Sequence, residues 1–471
     1  MLFNSLQFLL FFIIITLLYW YVPPKGRWLL LLLASCYFYM AFVPVYILIL
    51  GFTIIIDYIA GIYIESASNL KTRKLLLILS LAANIGVLIF FKYFNFFNAT
   101  LDTVLSASAH HTPFPYLKFL LPLGLSFHTF QAMSYTIEVY RRNQKAEKHF
   151  GIYALYVMFY PQLVAGPIER PQNMLWQFHA NHKYDFEKMK SGLMQMAFGL
   201  LKKVVIADRL GEIVDRAYAA PNAQNGKTLF LVTFLYSFQI YCDFSGYSDI
   251  AIGAARTMGF KLMDNFNVPY LSASLSEFWS KWHISLSTWF KDYLYIPLGG
   301  SRVSSGRKYL NLAVVFLISG LWHGANWTFV IWGALHGSFL IVENIANQFT
   351  GAREKPRSWI LFLRILKIIG VFLLVTLAWI FFRSPNLFVA KTILGKIFSQ
   401  SIFGAFNYEI VNRPVLVFSF LLIIILMIKE YFLLIIPTRN TAIFYVTFSL
   451  ILFTCYLFGV FNNVQFIYFQ F

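Results

Sequence analysis

The chain is built from apolar runs of membrane-span length separated by short basic linkers. Residues 1–21 (MLFNSLQFLLFFIIITLLYWY) have no basic leading segment and no small-residue cleavage site, so they read as a first spanning helix rather than a removed signal. The linker PPKGR at 23–27 follows, then a 37-residue, largely apolar stretch at 28–64, broken near Pro44 and carrying one acid, Asp57. That is about twice the ~18 residues a span needs, which predicts a tight hairpin of two crossings. KTRK at 71–74 precedes a run at 75–95, a nearly neutral loop with Asp102, His110 and His111, and a run at 116–140 that ends in basic YRRNQKAEK. Cytoplasmic loops of membrane proteins carry the excess of Lys and Arg. The linkers at 23–27, 71–74 and 141–148 are therefore expected inside and the N-terminus outside. AREKPR at 352–357 is a further cytoplasmic candidate ahead of apolar runs at 359–382, 414–428 and 442–462, and the uncharged tail NNVQFIYFQF is expected outside.

Composition agrees: 59% of residues are hydrophobic and 12% charged, against roughly 25% charged in a soluble globular domain. Mean hydropathy is +0.65. Disorder, a disulfide scaffold and a cytosolic enzyme are excluded. The formal charge of +18 would suggest nucleic acid in a soluble domain, but the basic linkers account for it here, and no nucleic-acid partner is expected. Cys36, Cys242 and Cys455 lie far apart in apolar segments and act as small hydrophobes.

Three blocks follow from this pattern: N-terminal transmembrane helices at 1–149, a core at 150–345, and C-terminal transmembrane helices at 346–471. The core differs in kind. YPQLVAGPIERP, QIYCDFSGYSDIAIG, SEFWSKWHISLSTWFKDYLYIPLGG and ISGLWHGANW are short apolar runs interrupted by Pro, Gly and ionisable residues. Irregular backbone at membrane depth is tolerated only where protein buries it or water lines it. The core is therefore the expected functional region.

Ionisable side chains in apolar spans are functional by default. His283 and His323 stand out, because six of the eleven tryptophans fall between Trp279 and Trp332. A neutral imidazole in such a dry, aromatic wall remains available as a base. If 277–290 is one helix, Ser280, His283 and Ser287 share a stripe, and Glu277 pairs with Lys281. Gly320 and Gly324 flank His323 and allow close approach of a backbone or substrate. Gln239 and Asp243 share a face, so Asp243 is a candidate polar wall for substrate, while Asp249 and Arg256 align as a structural pair. His128 and His336 read as packed helix residues. No metal site is expected, since nothing resembles H-E-x-x-H, and no Walker loop, dinucleotide fingerprint or G-x-S-x-G elbow is present. A polytopic transporter is the non-enzyme alternative, although no internal repeat supports it.

FWSKWHISLSTWFKDYLYIPLGG and, after a short gap, GLWHGANWTFVIWGALHG resemble the membrane-bound O-acyltransferase (MBOAT) family. FYPQLVAGPIERP, GLLKKVVIADRL, YCDFSGYSDIAIG and NFNVPYLSASLSEFW are similar to its bacterial alginate O-acetyltransferase branch, and the likeness is weakest after about residue 400. The resemblance implies an all-α polytopic membrane protein, a ring of roughly 10–12 transmembrane helices around a thinned core with broken or re-entrant helices. It puts the catalytic histidine on His323 and its partner on His283, with His323 as general base and His283 positioning substrate or stabilising charge. Glu277, Trp279, Lys281, Trp282, Trp322 and Asn326 complete the candidate substrate-binding set beside Gln239 and Asp243. It further implies no tightly bound cofactor, an acyl donor on the cytoplasmic side such as acetyl-CoA or another acyl thioester, and a polysaccharide acceptor. An extracytoplasmic SGNH-type acetyltransferase partner and a place among the lipids of the bacterial inner membrane belong to the same expectation. Teichoic-acid D-alanyl transfer and peptidoglycan O-acetyl transfer remain alternatives.

Overall fold

A computed structural model of the chain describes residues 1–106, 108, 110–118, 122, 124–164, 166–349, 357–399, 406–407, 410, 412–432, 438–461 and 466–467. The secondary structure of these residues is helical, without strands. Six helices among them are long and apolar enough to cross a membrane: Pro44–Ser66, Leu70–Ser106, Trp327–Phe349, Leu361–Arg383, Arg413–Tyr431 and Thr441–Phe458. The chain is a multi-pass membrane protein. Most of the 352–357 linker and of the C-terminal tail lies outside the described residues.

By its contacts the chain groups into two units, residues 1–196 with 250–263, and residues 197–249 with 264–471. In the first unit the 28–64 stretch breaks into two helices as expected, Arg27–Met40 and Ile47–Ser66, but only the second is among the six of span length. The break falls where Pro44 opens a 3-10 turn, a position that needs no N–H. The next helix is longer than its apolar run suggested. Asn69 caps its start by accepting from the Lys71 N–H at 2.9 Å, and it continues through a π-helical turn at Ile89–Tyr93 to Ser106. Asp102 is therefore helical, not part of the loop. Leu9, Leu10, Ile13 and Leu17 of helix Leu6–Tyr21 are exposed, as befits a face meeting lipid. Asp57 is buried and accepts from Ser80 Oγ at 2.6 Å and Asn84 Nδ2 at 2.9 Å. Those bonds join helices at a depth where an unsatisfied carboxyl would be costly.

The second unit holds most of the interrupted core. Helix α1 (Gly226–Thr257) enters it with residues up to Asp249. Two short helices follow, α2 (Leu275–Lys281) and α3 (Ile284–Phe290), then α4 (Ser305–His323), α5 (Trp327–Phe349) and α6 (Arg357–Arg383). α4 and α5 cross without intervening side chains: a Cβ on Gly320 would strike the Phe329 carbonyl, and one on Gly333 the Phe316 carbonyl. Small residues at such a crossing allow backbones to touch, and His323 ends α4 directly before the three-residue link 324–326 into α5. The order of loops in the first unit supports one test of orientation. Cysteines placed singly at Lys25 and His110, both exposed, should react with impermeant reagents from opposite sides of the membrane; labelling from one side would contradict the orientation read from the basic linkers.

Candidate active site

The sequence 277–290 reads as one helix, yet the backbone breaks at Trp282–His283. His283 takes φ +43°, a left-handed conformation that costs a non-glycine residue about 1 kcal/mol, and its carbonyl starts α3. The Ser280–His283–Ser287 stripe expected of a continuous helix does not form. Asn265, 18 residues upstream, imposes the break. Its carbonyl accepts from the Ile284 N–H at 2.9 Å. Its side-chain oxygen lies 3.0 Å from His283 Nδ1 and accepts from the Ser285 hydroxyl at 2.9 Å. Asn265 Nδ2 in turn donates to Ser248 Oγ on α1 at 3.2 Å. An amide oxygen only accepts, so the network assigns the imidazole proton to Nδ1 and leaves a lone pair on Nε2. Of the two tasks expected of His283, this neutral tautomer suits accepting a hydrogen bond from a substrate hydroxyl. It has no Nε2 proton to give to a developing negative charge.

His323 meets this ring from α4, with centroids 6.5 Å apart. Both histidines are buried, at 1% and 3% exposure. Trp322 packs on both, 4.9 Å from His323 and 6.1 Å from His283. Trp332 and Phe382 also pack on His323, at 5.1 and 5.3 Å. Trp279 contacts Trp332 at 5.7 Å, and Trp282 lies against Trp379 at 5.1 Å. A cavity of about 360 Å³ runs alongside, lined by Trp279, Ile284, Leu286, Phe316, Ser319 and Leu340 among others. Ile284 follows His283 and Ser319 lies one turn before His323, so the cavity abuts both histidine-bearing elements. Its wall is mainly apolar, the character of a small-molecule site. Among the described residues no three His, Cys, Asp or Glu side chains gather as a metal ion would require.

The other candidates separate from this cluster. Glu277 and Lys281 pair at 2.7 Å as their spacing predicted, and Glu277 also accepts from the Ala273 N–H, on the rim of α2. Asn326 caps α5 by accepting from the Thr328 N–H at 3.0 Å and ties it to the Pro385 carbonyl at 2.8 Å. Gln239 lies against Gly211. Asp243 belongs to an ion cluster: Lys203 Nζ sits 2.7 Å from both Asp208 and Asp243, all three buried, and Asp243 also accepts from the Ile467 N–H at 2.8 Å. The expected Asp249–Arg256 pairing is replaced. Asp249 meets Lys202 at 2.6 Å, and Arg256 donates to Ser191 Oγ. Both lysines lie on a π-helical turn, Leu201–Ala207, remote in sequence from their partners. Asn265, His336, Trp332 and Trp379 were not singled out as site residues from sequence; the nearest signals were the NFNVP segment and the ALHG end of the second histidine motif.

Removing one member of a buried ion pair strands its partner. Asp243→Asn should lower stability by on the order of 3 kcal/mol or less, because Asp208 still neutralises Lys203. A lower melting temperature in detergent is expected, and an unchanged one would contradict the structural task assigned to this carboxylate.

Comparison with known proteins gives the family of the chain. The model of the membrane-bound O-acyltransferase family matches residues 129–390, a span that holds both histidines, Asn265 and the tryptophan cluster. A Pseudomonas aeruginosa protein named probable alginate O-acetylase AlgI is 40% identical over 417 residues, 88% of this chain and 77% of the relative. The Helicobacter pylori peptidoglycan O-acetyltransferase is 36% identical over 422 residues, covering 83% of this chain and 77% of its own. The Streptococcus thermophilus teichoic acid D-alanyltransferase is more distant, 30% identical over 47% of this chain and 56% of its own. The chain belongs to the membrane-bound O-acyltransferase family, and it is an enzyme rather than the transporter that its broken helices also suggested.

Proposed function

We propose that the chain transfers an acetyl group from a thioester donor reached from the cytoplasmic side to hydroxyls of an envelope polysaccharide of the alginate class, directly or through an extracytoplasmic SGNH-type partner. The observation that carries this reading is the pair of buried imidazoles 6.5 Å apart, one of them fixed in orientation and tautomer by Asn265. In this reaction His283 Nε2 accepts a hydrogen bond from the attacking hydroxyl and holds it in place. His323 takes the hydroxyl proton as its oxygen bonds to the carbonyl carbon. The C–S bond then breaks with its electron pair on sulfur, and the sulfur leaves with the proton from His323. The mainly apolar cavity against the elements that bear both residues suits the donor arm. Acetylation of peptidoglycan, as the name of the Helicobacter relative suggests, is the second reading. A bacterial inner membrane is the location that gives the enzyme both donor and acceptor.

General acid–base catalysis contributes roughly 10²–10⁴-fold, so His323→Ala should reduce transfer at least 100-fold while the protein still folds. His283→Ala should cut transfer severely yet leave a measurable residue, because holding a hydroxyl is easier to replace than moving its proton. Asn265→Ala frees the His283 ring and should lower transfer about 10–100-fold, the usual cost of losing an orienting partner. The assay is ester-linked acetyl on envelope glycans, released by mild base and resolved into alginate and peptidoglycan fractions, per copy of folded protein. Wild-type acetylation in His323→Ala would overturn the reaction. Acetyl lost from peptidoglycan alone would move the acceptor to the second reading.

A further inference from the structure

Acyl transfer needs hydrogen-bond donors where the carbonyl oxygen gains charge, and the Nδ1–Asn265 contact leaves His283 Nε2 without a proton to offer. A donor set lies in the aromatic cluster that Trp332 joins to His323. His336, on α5, is fully buried at 0% exposure, and neither ring nitrogen meets a protein partner. The same holds for the indole Nε1 atoms of Trp279, Trp332 and Trp379. These four rings are in mutual contact: His336 lies 5.0 Å from Trp279, 4.9 Å from Trp332 and 6.3 Å from Trp379, and Trp332 stacks on Trp379 at 5.7 Å. Trp332 also contacts His323.

Burying a polar group without a partner is costly, and folded proteins rarely do so. Four such groups in one packed cluster call for a common explanation. An indole N–H can only donate, and a neutral imidazole has one N–H and one lone pair. The cluster therefore holds four donors against one acceptor, an excess that calls for a group rich in lone pairs and excludes an ammonium, which only donates. A carbonyl oxygen, which only accepts, is such a group.

The geometry points to His336 and the indole N–H groups of Trp279, Trp332 and Trp379 as a donor pocket for the carbonyl oxygen of the acyl group in transfer. His336 is then a third histidine of the site, and the inference rests on His323 as the transfer centre. As the hydroxyl oxygen adds to the carbonyl carbon, the C=O electron pair moves onto this oxygen and the N–H groups stabilise it. The pair returns when the C–S bond breaks. Donors of this kind act on the charged state and not on the bound substrate.

The test replaces the ring without changing its bulk. His336→Phe removes both nitrogens, His336→Gln keeps a donor and an acceptor, and both are measured for glycan acetyl esters per copy of folded protein beside His323→Ala. A drop of at least tenfold in His336→Phe with unchanged melting temperature, partly restored in His336→Gln, is expected. Wild-type transfer in His336→Phe, or equal loss in both variants, would overturn the donor pocket. If His336→Phe does not fold, Trp332→Phe and Trp379→Phe remove single N–H groups from the same cluster; lowered transfer in them supports the pocket and wild-type transfer overturns it. Full activity in His323→Ala would instead remove the transfer centre itself, a result distinct from any of these.

Discussion

The contact between Asn265 and the His283 segment is the constraint on which the site depends. A single asparagine satisfies the Ile284 N–H with its backbone, the Ser285 hydroxyl and the His283 ring with its side chain, and anchors itself to Ser248 on α1. Those bonds hold His283 in a left-handed conformation that splits what would otherwise be one amphipathic helix. Strained backbone of this kind persists only where the surroundings over-determine it. With the helix broken there, α2 and α3 point different ways from one hinge, and the imidazole is directed at His323 rather than along a helix face. The close crossing of α4 and α5 through Gly320 and Gly333 supplies the other half, because it brings both His323 and His336 into contact with Trp332.

Polar burial takes two forms in this protein. Lys203 pairs with Asp208 and Asp243, Lys202 pairs with Asp249, and Asp57 accepts from Ser80 and Asn84, so each buried charge there has a protein partner. Such sets hold helices together at membrane depth. The ring of His336 and its three tryptophans is open: its polar atoms have no protein partners and its walls are aromatic. Paired charges suit architecture and a cluster of unpartnered donors suits a ligand, which is why Asp243 reads as structural here while His336 does not.

Much of the fold was legible in the sequence because membrane insertion acts on simple quantities. Run length, Pro44 and the basic linkers located the first helices, and interruption of the apolar pattern marked the core. The two histidine motifs were legible from their residue types and from family likeness. What local spacing could not see was contact at long range. The helical period of 277–290 was overridden by an asparagine 18 positions away. Asp249 found a lysine 47 residues upstream instead of Arg256 on its own helix. His336 passed for a packing residue because its period fits α5. His128 also has two unpartnered nitrogens, and what sets His336 apart is its contact with three tryptophans whose indole nitrogens lack partners too.

A cryo-EM structure with a non-hydrolysable acyl thioester analogue tests the shared chamber most directly. The carbonyl carbon is expected between His323 and His283, with its oxygen turned toward Trp332 and His336 and the position of the attacking atom within about 3.5 Å of that carbon. Analogue density outside the space between the two histidines, or a thioester seated against the Lys202–Lys203 cluster, would contradict it.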